Sequence, residues 1–268
     1  MIIFAFNRNF RNMSKKRPLI LITNDDGIQA KGIRSLIEAI EPFGDIVIVA
    51  PDKPQSGMGH AITVNDVLRL ERSPLYPQFE AYTCTGTPVD CVKLAIAEVI
   101  KGKPDLLVSG INHGENSASN VLYSGTMSAA VEGAMEDIPS IGFSLLDFDA
   151  DADFTSSQWA VKELVSRALN GEFPKSICLN VNIPQLKTEE IKGIRVCRQA
   201  KAYWKDSFDE RFDQFGKPYY WLKGEFNRED WNEDTDIWAL DNGYVSVVPT
   251  QFDMTAYHAI SQLNEWKF

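Results

Sequence analysis

Asn24-Asp25-Asp26-Gly27 places two carboxylates side by side. Adjacent carboxylates repel each other unless a cation lies between them or one is protonated. Two further oxygen donors follow other apolar runs: the Ser56 hydroxyl in Gln55-Ser56-Gly57 and the Asn112 amide in Gly110-Ile111-Asn112-His113. An all-oxygen set of this kind suits one hard divalent ion per subunit, Mg²⁺ or Mn²⁺, with other divalent ions as alternatives. No cluster of His or Cys points to zinc. The competing reading of Asn24–Gly27 is a plain turn.

Tyr123-Ser124-Gly125-Thr126 stands just before a run of small residues with helical character. A Ser or Thr there can act simply as a helix cap. The same geometry offers backbone N–H groups and the positive end of a helix dipole to a phosphate. Ser124, Gly125 and Thr126 are therefore candidate phosphate-binding residues. His60 and His113 fall in the same group of loops, where each is either a proton carrier or a solvated loop histidine. Other chemistries fail on residues. G-x-x-x-x-G-K-[ST] and G-x-S-x-G are absent, and Gly57-Met58-Gly59-His60 lacks the third glycine of a dinucleotide fingerprint. An Asp-x-Asp phosphotransfer motif is not formed by Asp25-Asp26.

These residues need a scaffold that brings them together. Leu19–Thr23 is a short continuous apolar run, as expected of a strand buried on both faces. Ile33, Leu36, Ile37 and Ile40 recur at helical spacing, and Ile46–Ala50 is a second buried strand. Residues 61–85 alternate and predict a hairpin. Pro88 opens a helix running to Val99. Asp105–Ser109 reads as a strand followed by a polar loop over 110–119. A helix over 127–135, a strand over 139–145, a helix over 156–169 and a strand over 176–183 complete the series. Repeated β-α-β of this kind predicts an α/β fold, a doubly wound, mostly parallel sheet with helices on both faces. Ligands bind such sheets beyond the carboxyl ends of the strands, where the candidate residues lie. Residues 203–241 lose all periodicity and predict hairpins and loops, and Tyr244–Val248 is a last strand.

The 268 residues suffice for a sizeable core without disulfides. The net charge of −10 disfavours nucleic acid polymers and anionic membranes as partners. Its excess lies in Asp147, Asp149, Asp151 and Asp153 and in the 205–241 segment. Four cysteines without C-x-x-C spacing suit a reduced, cytoplasmic protein. No run is long enough to span a membrane, and MIIFAF lacks the features of a signal peptide. Met13 is an alternative start, with the first twelve residues a poorly ordered extension. The aromatics of 203–231 suit either local packing or a subunit interface.

Together these segments resemble one family. Ile22-Thr23-Asn24-Asp25-Asp26-Gly27, Val49-Ala50-Pro51-Asp52 with Ser56-Gly57, Gly86-Thr87-Pro88-Val89-Asp90-Cys91-Val92, Val108-Ser109-Gly110-Ile111-Asn112 and Tyr123-Ser124-Gly125-Thr126 are similar in order and spacing to the SurE survival-protein family. Gly243–Pro249 and Asp253-Met254-Thr255-Ala256 extend the likeness. The resemblance implies a Rossmann-like core over residues 18–200, preceded by an extension over 1–17 and followed by a C-terminal hairpin arm over 201–268 that exchanges between subunits. It implies a homodimer, with a tetramer as the larger assembly. It implies a metal-dependent phosphomonoesterase acting on nucleoside 5′-monophosphates, with 3′-monophosphates and short polyphosphate as further substrates. Asp25, Asp26, Ser56 and Asn112 fall on the family's metal ligands. Hydrolysis by metal-activated water, with Asp25 and Asp26 as catalytic groups, is the mechanism expected, and attack by an aspartate remains open. The alternative function is a nucleotide or metal sensor without catalysis.

Overall fold

A computed structural model describes residues 17–266. The expected extension over 1–17 and the alternative start at Met13 lie, Arg17 apart, outside the described residues. Strand β1 (Leu19–Thr23) leads to helix α1 (Lys31–Ile40) and strand β2 (Asp45–Pro51). β1 is buried on both faces, which explains its unbroken apolar run. Ile20 and Ile22 join one core cluster with Ile33, Leu36 and Ile48, while Leu21 joins another with Val47, Val49, Cys91 and Val92. Helices on both faces are therefore required to keep this strand dry.

The chain continues through β3 (Leu70–Arg72), β4 (Glu80–Cys84), α2 (Pro88–Leu94), β5 (Leu106–His113), α3 (Gly125–Met135), β6 (Ser140–Leu145), α4 (Thr155–Arg167) and β7 (Cys178–Ile183). Strands β4-β2-β1-β5-β6-β7 run parallel in that spatial order, and β3 pairs antiparallel at the edge. The doubly wound, mostly parallel α/β sheet expected from the sequence is the observed fold. Helix α2 starts in a capping box: Thr87 accepts from the Asp90 N–H at 3.2 Å, and Asp90 accepts from the Thr87 N–H at 2.9 Å.

Two local expectations are corrected. The hairpin expected over 61–85 is confined to β3 and β4. Ile62, Val64 and Val67 are exposed and meet no core that would hold a strand. The polar loop expected from Gly110 starts later, because β5 runs on to His113. After a register shift beyond Ser109, Asn112 and His113 pair with Ser144 and Leu145 of β6.

Residues beyond 200 divide into two parts. Strands β9 (Ala202–Phe212) and β10 (Pro218–Arg228) form a separate antiparallel hairpin. The rest rejoins the main sheet, where β11 (Val245–Thr250) lies between β7 and the short β8 (Ile194–Val196). Helix α5 (Asp236–Asp241) fixes this return, and an exposed helix, α6 (Tyr257–Asn264), follows β11. The fully buried Asp236 carboxylate accepts the Ala118 N–H at 2.8 Å and the Ala200 N–H at 2.9 Å. One side chain thus ties the end of the chain to the loop that precedes α3. Among the described residues no helix is long and apolar enough to cross a membrane.

Asp236→Ala leaves the Ala118, Ala200 and Ile237 N–H groups without this acceptor, the two distant ones at about 1–3 kcal/mol each. Urea unfolding of this variant is expected to show a loss of about 2–5 kcal/mol, and Asp236→Asn, which keeps one acceptor, a smaller loss.

Candidate active site

The parallel sheet brings the carboxyl ends of β1, β2 and β5 to one edge. Beyond β1, Asn24 is buried and its Nδ2 closes the turn on the Gly27 carbonyl at 2.9 Å. That turn delivers Asp25 and Asp26 to the sheet edge. Asp25 is only 3% exposed. The start of α3 lies against it: a Cβ on Gly125 would sit 2.7 Å from the Asp25 Cβ, so only glycine permits this approach. The Thr126 hydroxyl donates to Asp25 Oδ1, and the Thr126 N–H also supports the carboxylate. Ser124 is engaged as the helix cap, its Oγ accepting the Met127 N–H at 3.0 Å.

Asp26 is half-buried and accepts a hydrogen bond from the His113 backbone N–H. Its Oδ2 is excluded from solvent and has no hydrogen-bond partner. Asn24 Oδ1 is in the same condition. Asn112 donates through Nδ2 to the Gly114 carbonyl at 2.8 Å, which leaves its Oδ1 as a spare acceptor. The loop after β2 is anchored at two points. The Gln55 N–H donates to the Asp25 carbonyl at 2.7 Å, and the Gly59 N–H to the Tyr123 carbonyl at 3.2 Å. Ser56 lies exposed between these anchors. Asp25, Asp26, Ser56 and Asn112 therefore converge through short backbone links.

The electrostatics of this edge are unbalanced. Burial, and after it the charge of Asp26, pushes the Asp25 carboxyl up to about 6 from its ordinary 3.8, against the opposing pull of Thr126. Burial also pushes Asp26 up, with the His113 N–H opposing. No Lys or Arg pairs with either aspartate among the described residues. A divalent cation fits this donor set, since the orphaned Asp26 oxygen lacks the positive partner that its burial demands. Among the described residues there is no group of three or more His, Cys, Asp or Glu that could hold a metal. The fit therefore rests on two carboxylates, one hydroxyl and one amide.

The histidine rings take other partners. His113 packs edge-on against Phe154 with ring centroids 5.1 Å apart, so its backbone rather than its ring serves Asp26. His60 Nε2 lies 3.0 Å from Glu132 Oε2, and Glu132, buried on α3, also takes Lys93 at 2.5 Å. The same helix thus braces Asp25 at its start and the Ser56 loop through His60.

One polar network escaped the reading of the sequence. Asn182 accepts the Asn116 N–H at 2.7 Å, Asn116 donates to Ser144 at 2.7 Å, and Asn180 donates to the Asn116 carbonyl at 2.8 Å. It holds the loop between β5 and α3. Its sequence signal is two asparagines interrupting the apolar strand Cys178–Ile183.

Known proteins resemble this chain over most of its length. The family model described as survival protein SurE matches residues 20–206. The chain is 60% identical over 256 residues to the 5′-nucleotidase SurE of Flavobacterium johnsoniae, spanning 95% of this chain and 99% of that protein. It is 58% identical over 254 residues to the 5′-nucleotidase SurE of Cytophaga hutchinsonii, spanning 94% and 98%. The crystal structure of the SurE protein from Aquifex aeolicus superimposes with a TM-score of 0.81 at 41% identity, covering 92% of this chain and 98% of that one.

A carboxyl whose pKa is raised by folding makes the folded state bind more protons, so its contribution to stability is full below about 4 and is lost as pH rises through about 6. Asp25→Asn removes that term and keeps an acceptor for Thr126. In the presence of EDTA, the melting temperature of this variant should exceed that of the unaltered protein at pH 7.5, with the difference vanishing near pH 4.

Proposed function

This chain belongs to the survival protein SurE family, and from that premise we propose that it is a 5′-nucleotidase, a divalent-metal-dependent phosphomonoesterase releasing phosphate from nucleoside 5′-monophosphates. The observation that carries the reading is the buried, unpartnered Asp26 Oδ2 beside the buried Asp25. The turn alone does not require a second carboxylate whose buried oxygen lacks a partner, whereas a bound cation would satisfy it.

Asp25, Asp26, Ser56 and Asn112 are the residues that would hold the ion. Bound there, a divalent ion polarises a phosphoryl oxygen and lowers the pKa of water. The remaining work belongs to side chains and amides. One of the two aspartates would also accept a proton from the attacking water. The Gly125 amide, at the positive end of α3, stabilises the phosphoryl oxygens as charge spreads in the transition state, while the Thr126 amide stays engaged with Asp25. The Ser124 hydroxyl contributes by fixing where the helix begins, since it already bonds the Met127 N–H. The Thr126 hydroxyl orients Asp25, to which it is bonded. Trapping phosphoaspartate in a single turnover would replace water attack by attack of an aspartate.

The decisive experiment is phosphate release from a panel of 5′- and 3′-nucleotides and short polyphosphate, with Mg²⁺ or Mn²⁺ and with EDTA. Release that requires the cation and disappears in Asp26→Ala is expected, with near-ultraviolet circular dichroism unchanged. Nucleotide binding without phosphate release under every condition identifies a sensor and rejects the enzyme.

A further inference from the structure

The root of the β9–β10 hairpin and the helical turn before α3 enclose a cavity of about 420 Å³. Its lining includes Tyr123, Trp204, Asp206, Leu222, Lys223 and Gly224. Tyr123 is the residue immediately before Ser124, so one wall of the cavity adjoins the start of α3. The Tyr123 carbonyl also holds Gly59 at 3.2 Å, which ties the same wall to the Ser56 loop.

Three aromatic residues of this cavity, Tyr123, Tyr203 and Trp204, are presented to solvent, and the Tyr203 hydroxyl is turned to Glu229 at 2.7 Å. Trp204 is held in place: Nε1 donates to Asn120 Oδ1 at 2.8 Å, and the indole leans on Phe226 at 5.3 Å between centroids. A Cβ at position 224 would lie 3.1 Å from the indole Cε3, so glycine there leaves the ring room. Yet Trp204 remains 47% exposed and Tyr123 62% exposed. A fixed indole with an open flank stacks a planar ligand at low entropic cost. Asp206 shares the Trp204 side of β9, two residues on, and among the described residues its side chain makes no hydrogen bond or ion pair. Lys223 is already paired with Asp209 at 3.2 Å. The open polar group is therefore an acceptor.

We infer that this cavity is the base subsite of the nucleotide, with the base stacked at Trp204 and Tyr123 while its phosphate lies at the start of α3. The volume is within the roughly 300–1,000 Å³ usual for small-molecule sites. The spare carboxylate of Asp206 suits a base bearing an exocyclic amine, such as adenine. The inference rests on the nucleotidase reading, and its test separates the two.

Steady-state kinetics are compared for adenosine 5′-monophosphate and for ribose 5-phosphate, which carries the same phosphoester without a base. Trp204→Leu and Tyr123→Leu should each lower kcat/KM for the nucleotide about five- to hundred-fold, mostly through KM. Both variants should leave ribose 5-phosphate unchanged. Trp204→Phe keeps a ring and should retain most of the nucleotide activity. Equal losses on both substrates, or no loss in either leucine variant, overturn the subsite. A changed mass in light scattering with losses on both substrates assigns the cavity to subunit contact instead. If the unaltered protein hydrolyses neither compound, the nucleotidase reading fails, and calorimetric titration with adenosine then decides the cavity alone. Binding that is weakened in Trp204→Leu supports it, and absence of binding rejects it.

Discussion

A buried carboxylate beside a half-buried one at the end of one strand, with no cationic side chain bonded to either among the described residues, is the constraint around which this edge of the sheet is built. A charge in that position is tolerable only if dipoles or ions surround it. The start of α3 supplies a dipole to Asp25 and the His113 amide supplies one to Asp26. Neither satisfies Asp26 Oδ2. The close approach of Gly125, the cap at Ser124 and the bonds from Gln55 and Gly59 all serve to place helix and loop against this pair. Burial of Asp25 and the unmet demand of Asp26 Oδ2 are thus two results of one arrangement.

Much of this was legible in the chain because it is local. Leu19–Thr23 announces a strand buried on both faces, and Asn24–Gly27 announces the turn that follows it. The helix start at Pro88 and the cap at Ser124 are readable from residue type and position. The order of strand and helix then specifies where ligands collect. The structure agrees with the strand, the turn and the cap.

What was not legible depends on partners distant along the chain. The Thr126 hydroxyl reaches Asp25 across 101 residues, and the Ala118 N–H reaches Asp236 across 118. No period or cap encodes such a pair. The extension of β5 to His113 depends on β6 offering Ser144 and Leu145 after a register shift. The hairpin expected over 61–85 was shortened to β3 and β4 for the converse reason, since an alternating pattern needs a neighbouring core. The asparagines of β7 resemble interruptions of a strand until Asn116 is brought against them.

The position of β11 between β7 and β8 governs how the protein can be made. Ile183 leaves the ribosome about sixty residues before Val245, several seconds at roughly 5–20 residues per second. During that interval the outer edge of β7 presents unpaired amides and carbonyls, as any bare strand edge does. The N-terminal part of the sheet can fold first, but it must wait for its own late segment or be shielded from pairing with another nascent chain.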